Sequence, residues 1–401
     1  MTMPLEGIRV LELTRVGPGA FCTRLLADMG AEVIKIDGPD DPVRGLRGDQ
    51  RELRIRRQGL DRNKKSIVLD LKQRSSQEVF HKLAATADVV LEGFRPGIAT
   101  RLGVDYDTIH AINPRIVYCS LSGYGQTGPY KDLPGHDINY MAMSGALDMI
   151  GTRGGPPVEP LNLIADLSSA SLHGVIGVLT ALMARQQTGK GQQVDVSYVY
   201  GVVSILSGAS ALYSHILDGV GAKRGEPNTA GSYAYYGVYE TKDGKWFTIG
   251  CIEHHFWENF CRVIGREDLL PYKQAPNHQD DAPTGEWDLV RQELEKVFRT
   301  RTRDEWWELL KDHNICIGKV YTIDEALKDI QMQHRGMVVE IEDPELGKIR
   351  QIGVPIGYSE TPGRTQFTPA PRVGENTDEL LEALGYAQGE ISAMRGDRAV
   401  A

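Results

Sequence analysis

The sequence predicts an α/β protein: a large domain built on a doubly wound parallel sheet, with a smaller α+β domain beside it. Three observations predict this. Short β-branched runs alternate with helical spacing along the N-terminal half, Gly-rich turns sit at the junctions, and a hairpin pattern followed by helices breaks the alternation from about residue 225.

The elements follow in order. Ile8–Leu13 reads as a strand, Gly17-Pro18-Gly19 as a turn, the spacing of Leu25, Leu26 and Met29 as a helix, and Glu32–Asp37 as a second strand. Strand, turn, helix and strand in so short a span form a βαβ unit, whose right-handed crossover implies a parallel sheet. Ser66–Leu71, Val89–Glu92 and Ile116–Leu121 read as further strands, with Ser76–Ala87 as a helix between the first two. Leu172–Gln187 is a long helical pattern stopped by Gly189 and Gly191, and Val194–Ser197 resumes the strand pattern. Further on, Tyr233–Tyr239 and Trp246–Gly250 flank Lys242-Asp243-Gly244-Lys245, a hairpin with a DG turn. Phe256–Ile264, Trp287–Phe298, Arg303–Lys311 and Ile323–Ile330 carry helical spacing. The expected division gives residues 1–224 to the first part of the large domain and 225–325 to the small one. Residues 326–401, a Pro-rich tail with a helix at Glu375–Leu384, return to the large domain.

Composition sets limits. At 401 residues the chain can bury two cores, and its 54 acidic against 45 basic residues, a net charge of −9, exclude a general nucleic-acid face. Five scattered cysteines without CxxC spacing point away from disulfides and structural zinc. The opening MTMPLEGIRVLEL lacks the basic and apolar regions of a secretory signal, and the apolar runs near 175–184 and 202–212 fall short of a bilayer. A cytoplasmic protein with no membrane or nucleic-acid partner is expected.

Several segments carry candidate chemistry. Gly17, Gly19 and, twenty residues after Gly17, Asp37 imitate a dinucleotide fingerprint, but Cys22 at the third glycine position and Pro18 in the turn favour a plain βα turn. His254 and His255 are adjacent and lack HExxH-like spacing, so no metal site is expected. Arg51–Arg57 together with Arg62, Lys64 and Lys65 concentrates positive charge in an acidic chain. That run reads equally as a solvated loop and as a grip for an anionic handle; Arg95, in Leu91-Glu92-Gly93-Phe94-Arg95-Pro96-Gly97 just after a strand, favours the grip. Gly123, Tyr124 and Gly125 follow the next strand, where a backbone can lie close to a ligand.

His136, in Gly135-His136-Asp137-Ile138-Asn139-Tyr140, opens a helical pattern, and the positive end of the helix dipole there favours the neutral imidazole that serves as a base. Asp166 stands where it would cap the long helix beyond it, and Glu253 opens a helix after Gly250-Cys251-Ile252. Each of the three also suits a plain capping or packing role. Two proton-transfer groups at two adjacent helix starts point to chemistry.

Together these segments resemble the CaiB/BaiF family, the class III CoA-transferases and their racemase relatives. The likeness runs through Leu5–Glu12, Leu26–Lys35, Arg62-Asn63-Lys64-Lys65-Ser66, Thr188–Gln192 and Gly374-Glu375-Asn376-Thr377. It implies a Rossmann-like large domain built from both chain ends, a small domain between them, and an interlocked homodimer. It also implies an acyl-CoA thioester as the bound molecule, with Arg62, Lys65, Arg95, Gly123, Tyr124 and Gly125 as the candidate CoA contacts and no separate cofactor.

Asp166 falls where the transferases carry the aspartate that attacks the thioester. The run around His136 and the pair Ile252-Glu253 resemble instead the α-methylacyl-CoA racemase branch, which uses a His and an Asp as its two acid/base groups. Gly38 departs from the pattern, since racemases of this type often carry an Arg there, near the nucleotide. The resemblance therefore implies a racemase that moves the proton beside the thioester carbonyl. His136 and Asp166 would serve opposite faces, with Asp137 and Glu253 orienting or tuning them. A CoA-transferase with Asp166 as nucleophile and a non-catalytic acyl-CoA-binding protein are the alternatives.

Overall fold

The computed structural model describes residues 2–14, 17–39, 50–209, 212, 215–216, 219, 221–272 and 285–401. These form two compact units: Met1–Tyr140 with Leu161–Val202 and Asp329–Ala401, and Met141–Pro160 with Val203–Lys328. Two stretches that the sequence reading gives to the large domain, Met141–Pro160 and 203–224, fall in the second unit.

The first unit is built on a parallel sheet of β1 (Arg9–Leu13), β2 (Glu32–Asp37), β3 (Lys64–Val68), β4 (Val89–Glu92), β5 (Val117–Ser122) and β6 (Gln192–Ser197). Their order is β3-β2-β1-β4-β5-β6, with Val10 in register with both Val33 and Val89. Alternate side chains feed two separate cores. Leu11, Ile34, Ile67, Val90 and Tyr118 pack with Phe80 and Leu83 of the helix Arg74–Ala85. Val10, Val33, Leu91 and Cys119 pack on the other face, with Leu26 of Pro18–Asp28 and Val178 of Leu172–Thr188. The order reverses between β1 and β4, and open α/β sheets bind their ligands outside the carboxyl ends at such a switch point.

The basic run, open between a solvated loop and an anion grip in the sequence, is a helix, Gln50–Asp61, joined to the sheet by a buried ionic layer. Lys64 Nζ meets Glu12 at 2.8 Å and Asp61 at 3.1 Å, and Lys35 Nζ meets Asp61 at 3.0 Å. Burial alone pushes the Glu12 carboxyl up, but Lys64 and Lys35 outweigh it and hold it below its ordinary value.

β3 is an edge strand, and the tail covers its open side. Asn63 donates its N–H to Thr368 O, Ser66 to Asn376 Oδ1 at 3.0 Å, and Val68 to Thr377 Oγ1 at 3.3 Å. The tail also forms an antiparallel hairpin, β10 (Val338–Asp343) with β11 (Gly347–Ile352), and the helices Thr377–Ala383 and Gln388–Gly396.

Among the described residues one helical run, Leu163–Thr188, is long and apolar enough by length and composition to cross a bilayer. It exceeds the stretch seen in the sequence because the segment Leu163–Ser171 continues into Leu172–Thr188. One face packs on β5, β6 and the helix Pro18–Asp28, and the other leaves Leu172, Ile176 and Met183 exposed.

The second unit holds an antiparallel sheet of β7 (Tyr236–Glu240), β8 (Trp246–Gly250) and β9 (Ile317–Lys319) over an aromatic core of Trp257, Phe260, Trp287, Phe298 and Trp306. The expected strand from Tyr233 starts later because Tyr233 and Tyr235 turn into this core, stacked at 5.1 Å.

Candidate functional site

His136 immediately precedes the helix Asp137–Met143 and is exposed. Its N–H donates to Asn139 Oδ1 at 3.0 Å, and its carbonyl accepts from the N–H groups of Asn139 and Tyr140. Asp137 is buried. Its Oδ2 accepts the Asp166 N–H at 2.9 Å, while its Oδ1 is buried with no hydrogen-bond partner among the described residues.

Asp166 is not the cap that its sequence position suggests, because the helix begins earlier. It lies within a π-helical segment, Leu163–Ser171, the wide-turned geometry often found at functional sites. Serines hold the wide turns: Ser168 Oγ donates to Leu163 O at 2.7 Å, and Ser171 Oγ to Asp166 O at 3.0 Å and Pro18 O at 2.8 Å. Burial raises the Asp166 carboxyl above its ordinary range, and the negative charge of Asp137 adds to this. A hydrogen bond from Asn162 and the nearby His136 offset part of the rise. The fold thus brings His136, Asp137 and Asp166 together. Glu253 belongs to the second unit, where it is exposed and stands at the N-cap of His254–Val263 without a side-chain capping bond.

The expected CoA contacts divide. Arg62 is fully buried, bidentate on Asp28 at 3.0 and 2.6 Å and beneath the Phe367 ring, so it has nothing left for a phosphate. Lys65 lies between Glu32 at 3.2 Å and Glu379 at 2.7 Å. Both stand at the amino end of β3, the wrong edge of the sheet. A cleft of about 550 Å³ opens there, lined by Arg54, Lys64, Lys65 and Arg372, each already paired with a carboxylate, and by Arg364, which donates to Ala27 O at 2.8 Å. Arg57 is spent on Asp61 at 3.1 Å, and the side chains of Arg51 and Arg56 lie outside the described ones. A charge count along the chain cannot show that these cations meet acids, some of them buried.

Arg95 differs. It is exposed in the turn leaving β4 at the switch point, and no carboxylate pairs with it among the described residues. A cleft of about 100 Å³ opens beside that turn, lined by Thr14, Gly38, Asp70, Lys72, Phe94 and Leu102. Gly123, Tyr124 and Gly125 leave β5 next to it in the sheet order. Gly125 needs its freedom, with φ at +90°, whereas Gly123 makes room for Tyr140, whose Cε1 would lie 2.5 Å from an added Cβ.

Sequence reasoning missed Glu92. It ends β4 buried, accepting the Phe94 N–H at 2.6 Å, and burial pushes its carboxyl up to about 7 although the bonds from Ser120 and Phe94 oppose the rise. A strand reading has no signal for it beyond a lone acid at the end of an apolar run.

Residues 5–377 match the model of CoA-transferase family III. The chain belongs to that family. This family III chain is 34% identical over 400 residues to the human alpha-methylacyl-CoA racemase, with 99% of this chain and 98% of that protein covered. It is 32% identical over 405 residues to the succinyl-CoA–D-citramalate CoA-transferase of Chloroflexus aurantiacus, with 99% and 98% covered. Among solved structures it is similar to a CaiB/BaiF family protein from Brucella suis, with a TM-score of 0.81 at 27% identity over 96% of this chain and 100% of that one.

Proposed function

We propose that this family III protein is an α-methylacyl-CoA racemase, interconverting (2R)- and (2S)-2-methylacyl-CoA thioesters by two-base proton transfer through an enolate. One observation carries the reading: the Asp166 N–H is bound to Asp137, the residue after His136, and the imidazole is near enough to act on the Asp166 carboxyl. The 34% identity to the human racemase supports it.

One group takes the proton from the carbon beside the thioester, the electron pair moves onto the carbonyl oxygen, and the other group returns a proton to the opposite face. A carboxyl whose proton affinity is raised suits both halves of this exchange, since an ordinary aspartate holds too little proton to give back near neutral pH. Backbone N–H groups at the start of Asp137–Met143 would hold the enolate oxygen. Arg95 would bind a CoA phosphate, and Gly123, Tyr124 and Gly125 would lie along the CoA arm. The chemistry calls for no metal or further cofactor.

The protein would act in the cytoplasm, which its five free cysteines suit. It would act as an interlocked homodimer, for which the exposed Leu172, Ile176 and Met183 provide apolar surface.

The second reading is a CoA-transferase in which Asp166 attacks the thioester carbonyl, expels the CoA thiolate and carries the acyl group as an anhydride. The 32% identity to the transferase favours it. One epimer of a 2-methylacyl-CoA in deuterated water separates the two. Deuterium entering C2 with epimerisation and no acceptor acid is expected; CoA exchange that requires an acceptor, with a hydroxylamine-trapped adduct at Asp166, would overturn the racemase reading.

A further inference from the structure

We propose that Tyr140 is a positioning residue for His136, gripping the peptide that carries the histidine and setting where the imidazole meets the acyl-CoA. The inference rests on the two-base reading above.

No described side chain holds the His136 imidazole, so its place depends on the backbone beside it. One peptide unit comprises the Gly135 carbonyl and the His136 N–H, and both ends are bound by side chains of the same helix. Tyr140 donates its hydroxyl to Gly135 O at 2.7 Å, and Asn139 Oδ1 accepts the His136 N–H at 3.0 Å. The plane of that peptide is thereby fixed.

The Tyr140 ring is itself wedged. An added Cβ on Gly135 would fall 2.7 Å from its Cε1 and one on Gly123 2.5 Å, so both glycines leave the space that the ring fills. Tyr124 and Tyr198 meet it edge-on at 5.4 and 5.1 Å. Tyr140 therefore joins the turn after β5, the start of the segment after β6 and the His136 peptide. Burial, with Tyr124 and Asp166 adding, pushes its phenol up to about 12 against the pull of Arg95. Near neutral pH it is a hydrogen-bond donor with no part in the proton exchange itself.

Tyr140→Phe removes the hydroxyl and keeps the ring. It should lower kcat by about 10- to 100-fold, the scale of a small misplacement of a reacting group, with KM changed less than about twofold. Deuterium exchange should slow more for the epimer served by His136 than for the one served by Asp166. Gly123→Ala should lower kcat in the wild-type background and add little to Tyr140→Phe, because both act through the same grip. Equal slowing of both epimers, a rise in KM alone, or fully additive effects would assign Tyr140 to folding or binding and overturn the proposal. A wild-type enzyme that exchanges neither epimer, yet exchanges CoA with an acceptor acid, defeats the two-base reading itself and this assignment with it.

Discussion

The Asp166 backbone donates to Asp137 Oδ2 at 2.9 Å, so one buried carboxylate is pressed against the peptide of a second, half-buried one. The contact fixes part of the π-helical turn, and the charge beside it raises the Asp166 carboxyl, second only to burial. A base must be ionised to act, so a raised carboxyl places the acid limb of activity at higher pH. Asp137→Asn keeps an oxygen acceptor for the Asp166 N–H and removes the charge. For the epimer whose proton Asp166 removes, the acid limb of kcat/KM should move to lower pH; a profile that stays in place would deny the coupling.

Glu92 yields a stability prediction of definite sign. Its folded value lies near 7 against an ordinary 4.5, so between those values the folded protein keeps a proton that the unfolded chain has lost. Stability therefore falls as pH rises through that window and is level above it. Glu92→Gln, which mimics the protonated acid, should be more stable than wild type at pH 8 by about 1–3 kcal/mol and close to it at pH 5. Denaturant unfolding at the two pH values measures this, and a variant weaker than wild type at both contradicts it.

Arg62 and Arg95 should separate fold from binding. Arg62→Ala leaves Asp28 in the core with only Arg24 and Asn63 as partners and should cost about 1–3 kcal/mol in unfolding free energy, with KM unchanged in the folded fraction. Arg95→Ala should leave unfolding alone and raise KM more than it lowers kcat, and wild-type binding of CoA should weaken with salt. Equal KM values in wild type and Arg95→Ala remove Arg95 from the binding site.

How much of this is legible in the sequence depends on how far apart the partners lie. β2 and β4 occupy the residues that the pattern names: β4 is the short apolar run that a parallel strand buried on both faces leaves, and β2 shows its branched Val33, Ile34 and Ile36 between charged residues. The helix Gln50–Asp61 is not legible: its arginines look like surface until Arg54 meets Asp343, 289 positions away. His136 and Asp166 stand out as residue types at what the pattern reads as helix starts, although Asp166 lies inside its helical segment. Their link through Asp137 spans 29 positions and ends inside a π-helical turn, which no 3.6-residue periodicity announces. Tyr140 hides for a related reason. Its neighbours Gly123 and Gly135 look like turn residues, and only the fold shows that they clear space for a ring.

The cover on β3 has a consequence for the growing polypeptide. Ser66 and its partner Asn376 lie 310 positions apart, so at roughly 5–20 residues per second a ribosome delivers the strand about 15–60 s before its cover. For that interval the edge strand waits with its outward amides open to a neighbouring chain, and Lys64 and Lys65 are the charges on it that discourage such pairing. The aggregation risk belongs to synthesis and vanishes on completion. A factor that shields open strand edges would find its docking point at residues 63–68 of the unfinished chain, and would lose it once residues 368–377 arrive.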